Sequence, residues 1–424
     1  MAQLSDDCFA FAGALLPIEE VERLLGERVA PVAEIETVRL DQAFGRVLAR
    51  DVVALIDLPP FDNSAVDGYA VRSRDLAPDA DTTLAVAGRA AAGHAAAQAL
   101  APGAAIRIFT GAPMPQGADT VFMQEDVRRE GETVTVPPGL AAGANRRLAG
   151  EDVRAGTTLL TAGRRLSASH VALAAAVGLT QLPVRRRIRV AVLSTGDEIV
   201  EPGAARPRAA LFDANRYLLA GLLAGLGAQA TDLGIVRDEL AAIERAIAAA
   251  AEQHDLVLSS GGVSTGEADH VRSAVESIGR LVFWRVAVKP GRPVAMGVIP
   301  GAQPGSSAAF VGLPGNPVAV FVTFARVVRP LWARLAGAVL DPLVPLPVRS
   351  TFAYRKRTGR REYVRVALRR GPDGVIEAVK HAQDGAGVIT SLTETDGLVE
   401  LLEPVTAIAP GDSVGFLSYA ALVG

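Results

Sequence analysis

Cysteine is almost missing from this chain: Cys8 is the one thiol in 424 residues. A single thiol excludes an intrachain disulfide and any zinc site built on a cysteine cluster, and it suits a reduced compartment. Lysine is nearly as scarce. Lys289, Lys356 and Lys380 stand among 43 basic residues, the rest being arginine. Aromatic residues make up 5%, so the cores must be aliphatic and an aromatic platform for nucleic-acid bases is not expected. A surplus of charge is missing too. Forty-three basic against 46 acidic residues leave a net charge of −3, with no basic field for nucleic acid. No run approaches the roughly 18 apolar residues of a membrane span. The first residues, MAQLSDDCFAFAG, lack Lys and Arg and carry Asp6 and Asp7, so they do not read as a signal peptide. The expectation is a soluble cytoplasmic protein with no nucleic-acid or membrane partner.

What is present is core material. Half of the residues are hydrophobic, and 42 glycines with 26 prolines indicate an ordered, turn-rich protein. At about 150 residues per domain the length suggests about three domains, with two or four as alternatives. PIEEVERLLGERVA (17–30) reads as a helix opened by Pro17. ETVRLDQAFGRVLAR (36–50) has a second helical pattern. Over 53–145 short apolar runs between glycines and prolines predict a β-rich insert. From 186 to 330 strands and helices alternate. RIRVAVLST, ATDLGIV, DLVLSS, LVFWRVAVK and AFVGLPG read as strands, and VAVFVTFARVVRPLWARLAG as a long helix. Such alternation predicts a doubly wound parallel sheet. The stretch 337–348 reads as a linker, and 349–424 as a small terminal β domain.

In a doubly wound sheet, ligands bind beyond the carboxyl ends of the strands. Four blocks fall there. Ser194-Thr195-Gly196-Asp197-Glu198 joins hydroxyls and a glycine, which suit an anion, to carboxylates that suit a divalent cation; a plain helix-capping turn is the alternative. In Ser259-Ser260-Gly261-Gly262-Val263-Ser264-Thr265-Gly266-Glu267-Ala268-Asp269 the paired glycines allow close approach to a phosphate. Its acids serve either as caps of the next helix or as cation ligands, and the block lacks the ending of a Walker loop. Lys289-Pro290-Gly291-Arg292-Pro293 holds two cations between prolines that fix the backbone. Its lysine, in an arginine-using chain, suits a compact charge on phosphate; a solvated surface pair is the alternative. Gly312-Leu313-Pro314-Gly315-Asn316-Pro317 is a strand-to-helix turn that gains weight from sharing the rim. Two more clusters lie outside the α/β region. PPFDNSAVDGYA (59–70) carries Asp62 and Asp67, and NRRLAGED (145–152) sets cations against acids.

Taken in order, PPFDNSAVDGYAVR, RIFTGAPMPQGADTVFMQED, NRRLAGED, VAVLSTGDEIVEPG, SSGGVSTGEADH, VAVKPGRPVAMG and GLPGNPVAVF closely resemble the MoeA family of molybdopterin molybdenumtransferases, to which the E domain of gephyrin also belongs. The resemblance covers about residues 15–420. Arg292 stands where many members have a second lysine, and Ala319 where many have serine. The resemblance implies a multidomain α/β plus β fold: a central doubly wound α/β domain of molybdopterin-binding type (183–336), a β-rich insert (53–145), a C-terminal small β-barrel-like domain (337–424), and an N-terminal and linker domain from 1–52 with 146–182. It implies a homodimer in which the Asp62–Asp67 region of one subunit faces the α/β rim of the other.

The implied reaction inserts molybdenum from molybdate into adenylylated molybdopterin, releases AMP and uses magnesium. Catalytic roles then fall to Asp67, Glu198, Asp238, Asp269, Lys289 and Arg292. Magnesium would fall to Asp197, Glu198 and Asp269. Substrate and phosphate contacts would fall to Asp62, Thr110, Ser194, Thr195, Gly196, Ser260, Gly261, Gly262, Ser264, Pro314, Gly315, Asn316 and Arg360. A molybdopterin adenylyltransferase and acceptor molybdoenzymes are the implied protein partners. A family member that binds pterin or scaffolds without the chemistry is the alternative, with a nucleotide-dependent adenylyltransferase as a third reading.

Overall fold

The computed structural model describes residues 15–32, 34–94, 96–263 and 270–423. Its centre is a six-stranded sheet. The strands run in the order Gln229–Val236, Arg189–Thr195, Leu256–Ser260, Ser307–Leu313, Pro293–Pro300, Arg280–Arg285. Alternate residues of each strand face opposite sides. Val190, Val192, Leu256, Leu258 and Val311 pack with Leu219, Leu223 and Val320 in one core. Ala191, Leu193, Val257 and Phe310 pack with Ile243, Ile247, Val271 and Val275 in the other. Helices therefore cover both faces, which is why these strands are apolar runs rather than alternating patterns. Each fully buried Leu, Ile or Val here contributes about 1.5–3 kcal/mol.

The first four strands are mutually parallel, as the alternation predicts. The last two are not. Pro293–Pro300 runs antiparallel to Ser307–Leu313, and Arg280–Arg285 antiparallel to Pro293–Pro300. The short 301–306 turn explains the first reversal, because a hairpin needs no crossover helix. LVFWRVAVK, expected as one strand, divides. Arg280–Arg285 stays in the sheet, while Val288–Lys289 leaves it and pairs in parallel with Arg361–Glu362.

The N-terminal helix is Ile18–Arg28 and buries Ile18, Val21, Leu24 and Leu25 against the α/β core. The helix expected over 36–50 is absent. Ile35–Arg39 is instead a strand antiparallel to Gln181–Arg185, followed by a single 3-10 turn at Leu40–Gln42. Pairing with a segment far along the chain has overridden the local periodicity. The long helix expected after GLPGNP is continuous but not uniform. Pro317–Thr323 and Arg329–Ala336 are α-helical, and Phe324–Val328 between them is a π-turn.

The insert is a six-stranded sheet, ordered Thr120–Met123, Gly68–Val71, Ala104–Ile108, Thr82–Ala90, Thr133–Val136, Arg128–Glu130. Gly68 has to be glycine, since a Cβ there would lie 1.7 Å from the Phe122 carbonyl oxygen. The C-terminal region closes on itself. Arg361–Arg370, Ile376–Lys380, Leu346–Ser350, Ser413–Ser418 and Gly397–Leu401 pair around a ring, and the last pairs back to the first. Closure leaves this small barrel without free edges. Among the described residues no helix is long and apolar enough to cross a membrane.

Candidate active site

Parallel pairing brings three strand ends to one rim. Ser194 lies opposite Ser260, and Ser260 opposite Leu313. Below them is a cavity of about 210 Å³ lined by Ser194, Thr195, Glu198, Asp213, Asn215, Ser260, Gly261, Gly315 and Asn316, among others. Three blocks hundreds of atoms apart in sequence thus become one wall. Gly261 has φ +86°, and a Cβ there would meet the Thr195 carbonyl oxygen at 2.3 Å. The paired strand ends therefore approach closely only because that residue is glycine. Gly262 also has a positive φ of 68° and packs beside Val271 and Thr195.

The wall is polar and incompletely paired. Ser194 Oγ, Thr195 Oγ1 and Asn215 Oδ1 are buried and find no partner among the described residues. Buried polar atoms are rarely left so unless a ligand or water meets them. Asn215, which opens the Asn215–Leu226 helix, is not among the residues expected from the sequence, because LFDANRYLL carries a helical pattern and no site motif. Its Nδ2 donates to Ser260 Oγ (2.9 Å) and to the Gly315 carbonyl (2.8 Å). Asp213 caps the same helix start but is committed to Arg216, whose Nε lies 2.7 Å away. Glu198 is exposed, and its carboxylate lies close over Gly196.

A second cavity, about 410 Å³, lies between this rim and the barrel. Lys289, Pro290, Gly291, Arg292, Pro314, Asn316, Tyr354, Arg360, Arg365 and His381 contribute to its wall. Asn316 lines both cavities, so they adjoin. Gly291 sits at φ +112° against the Pro317–Thr323 helix, where a Cβ would meet Thr323 Oγ1 at 2.6 Å. Lys289 Nζ donates to Glu362 Oε2 and Tyr354 OH, both at 3.1 Å. Tyr354 OH donates to Glu362 Oε2 (2.8 Å), and Arg360 Nε to Oε1 (2.6 Å). Burial disfavours the Lys289 ammonium, but its bonds to Tyr354 and Glu362 outweigh burial and raise its pKa. Burial likewise opposes the Glu362 carboxylate, and Tyr354, Lys289 and Arg360 together hold it below the ordinary range. Neither Tyr354 nor Glu362 is among the residues expected from the sequence, although Glu362 stands two residues beyond Arg360, which is.

The remaining expected residues separate. Asp197 is exposed and, like Gly196, Gly262 and Asp238, lines neither cavity; Asp238 Oδ1 is buried without a partner among the described residues. Ser264 and Asp269 lie outside the described residues. Asp62, Asp67 and Thr110 belong to the insert and line neither cavity of this chain. Asp62 accepts from the Ala149 amide (2.8 Å) and pairs with Arg146 (3.2 Å). Asp67 accepts the amide and hydroxyl of Thr110, both at 2.8 Å, which hold its carboxyl below the ordinary range. No set of three or more His, Cys, Asp or Glu side chains gathers as a metal cage among the described residues.

A sheet rim that presents glycine-lined polar walls on one side and fixed cations on the other is an anion-binding α/β architecture. Family models match nearly the whole chain in sequence. Residues 16–178 match the MoeA N-terminal region (domain I and II), 191–334 the probable molybdopterin binding domain, and 347–419 the MoeA C-terminal region (domain IV). The chain is 35% identical over 412 residues to the molybdopterin molybdenumtransferase of Haemophilus influenzae, covering 97% of this chain and 100% of that one. With the molybdopterin molybdenumtransferase of a Nostoc species it shares 37% identity over 388 residues, 90% and 88% of the two chains. A crystal structure of the molybdopterin biosynthesis MoeA protein from Pyrococcus horikoshii OT3 superposes with a TM-score of 0.79 at 29% identity, covering 96% and 100%. This chain belongs to the MoeA family.

Proposed function

We propose that the chain is a molybdopterin molybdenumtransferase, which inserts molybdenum from molybdate into adenylylated molybdopterin and releases AMP. The observation that carries this reading is the adjacency of the two cavities at Asn316, one lined by hydroxyls and a glycine turn, the other by cations. The smaller suits the phosphate and pterin end of the substrate, where the Ser194, Thr195 and Ser260 hydroxyls supply short-range donors and Gly261 leaves room for close approach. The larger suits molybdate, a tetrahedral dianion, because Lys289, Arg292 and Arg360 supply fixed positive charge. Lys289 also stabilises the negative charge that grows on the leaving phosphate as the link to AMP breaks.

Magnesium fits the donor chemistry of the smaller cavity. Glu198 offers a carboxylate beside hydroxyl oxygens, and a cation that keeps several waters and substrate phosphates needs few protein ligands. Of the described acids expected to hold it, Glu198 is the one on this cavity's wall; it would hold the cation there, and the cation would neutralise phosphate charge. The insert acids line neither cavity of their own chain, which favours a homodimer in which a second copy presents Asp62 and Asp67 to the rim. A separate adenylyltransferase would supply the substrate, acceptor molybdoenzymes would take the product, and the scarcity of cysteine suits the reduced cytoplasm. The test is direct: the purified chain is given adenylylated molybdopterin, molybdate and magnesium. AMP release coupled to active cofactor is expected. A folded chain that releases no AMP overturns the reading.

A further inference from the structure

Glu362 is 1% exposed and does not line the cationic cavity, yet three side chains of that cavity's wall end on it. Lys289 Nζ and Tyr354 OH meet Oε2 at 3.1 and 2.8 Å, and Arg360 Nε meets Oε1 at 2.6 Å. The residues come from different parts of the fold. Lys289 ends the short strand that leaves the α/β sheet, and Glu362 lies opposite it on the barrel strand Arg361–Arg370.

Donor accounting shows what this arrangement leaves free. An ammonium has three N–H donors, and two of those on Lys289 are committed, one to Glu362 and one to Tyr354. The Tyr354 hydroxyl gives its proton to Glu362 and accepts from Lys289, so it is occupied on both sides. The Arg360 guanidinium is anchored through Nε, and its terminal nitrogens have no partner among the described residues. One ammonium donor and the two terminal groups of a guanidinium remain, which match a tetrahedral oxyanion.

We propose that Glu362 is the positioning residue of an oxyanion cradle: it locks the Lys289 ammonium and the Arg360 guanidinium into one geometry and does not itself touch the anion. This rests on reading the larger cavity as the molybdate half of the site. Burying a carboxylate is costly unless it is paired and hydrogen-bonded, and here three partners satisfy it. Without it, two long cationic side chains would repel each other and sample many rotamers. The other charged groups on the cavity wall have different tasks or lie on other elements. Arg365 donates to the Gly385 and Gln383 carbonyls, Asp384 pairs with Lys380, and His381 bonds Glu394, while Arg292 adds charge to the wall from its own place in the KPGRP turn.

The experiment titrates the full chain with sodium molybdate by calorimetry from neutral to alkaline pH, with circular dichroism as the control for folding. Glu362→Gln keeps the shape and removes the charge. It is expected to weaken molybdate binding about tenfold and to raise the KM for molybdate more than it lowers kcat. Because Lys289 then loses its anionic partner, the alkaline loss of binding should also move to lower pH, a shift that mere loosening of the fold would not cause. Glu362→Asp restores the charge at a shorter reach and should return the alkaline limb with part of the affinity. If Glu362→Gln does not fold, Tyr354→Phe decides. It removes the hydroxyl bridging Lys289 and Glu362 and should weaken molybdate about threefold, whereas unchanged affinity overturns the proposal. Wild-type affinity and an unmoved alkaline limb in folded Glu362→Gln also overturn it, and leave the functional reading standing. A wild-type chain that ignores molybdate but binds inorganic phosphate in a Glu362-dependent way does the reverse.

Discussion

The side-chain amide of Asn215 lies 2.8 Å from the Gly315 carbonyl oxygen, one hundred residues away, and the same amide nitrogen lies 2.9 Å from Ser260 Oγ. One buried residue therefore ties two rim loops to a helix start. Asn215→Ala should leave both acceptors short of a donor and cost about 1–3 kcal/mol. Asn215→Asp should be worse for activity, because a carboxylate cannot donate to the Gly315 carbonyl. Thermal melting and AMP release measure the two effects. Equal activity in all three proteins would show that the tie does not shape the site.

Gly261→Ala should damage the rim more than Gly262→Ala. At position 261 the added methyl meets backbone, the Thr195 oxygen at 2.3 Å, whereas at 262 it meets the side-chain methyls of Val271 and Thr195. Both positions have positive φ and share the cost of about 1–2 kcal/mol for an L-residue there. The difference between the two melting temperatures isolates the backbone clash. A larger loss at 262 would refute this account.

Lys289→Ala should lower kcat, because the charge it meets grows in the transition state. Lys289→Arg should rescue only in part, since a planar guanidinium cannot reproduce the ammonium's bonds to both Tyr354 and Glu362. Steady-state kinetics in both substrates separate the possibilities. A raised KM with kcat untouched would make Lys289 a uniform binder.

Asp255 should govern part of the acid stability. It is 8% exposed and accepts from both terminal nitrogens of Arg186 and from the Arg189 amide, each at 2.8 Å. Burial opposes its charge, but Arg186 and the amide outweigh burial and lower its pKa. A depressed folded pKa contributes stability that is complete above the unfolded value, about 3.9, and is lost as pH falls through the folded value. Asp255→Asn should therefore cost about 3 kcal/mol at neutral pH and flatten the acid limb of the stability curve. Urea unfolding between pH 7 and pH 3 measures both, and parallel curves for the two proteins would refute the assignment.

Mixing an Asp67→Ala chain with a Lys289→Ala chain should restore part of the activity if the site is shared between subunits. Asp67 lines neither cavity of its own chain, which motivates the test. Proven mixed dimers without activity would place Asp67 elsewhere.

The rim is legible in the residues alone. Ser194, Ser260 and Asn316 stand where an apolar strand run meets a glycine or proline turn, and that signal is local. The buried parallel strands are legible too, because a strand covered on both faces must be apolar throughout. The helical pattern over 36–50 misled, since the partner strand Gln181–Arg185 lies more than a hundred residues away and its hydrogen bonds outweighed local preference. That Lys289 belongs to Glu362 is visible in the folded chain alone. The two are 73 residues apart in different domains, and neither periodicity nor spacing encodes which strand a departing segment will join. The same is true of Asn215 reaching Gly315, and of Asp67 standing apart from the rim of its own chain. Contacts of this kind depend on how separately formed units pack, and packing is a property of the whole fold rather than of any stretch of sequence.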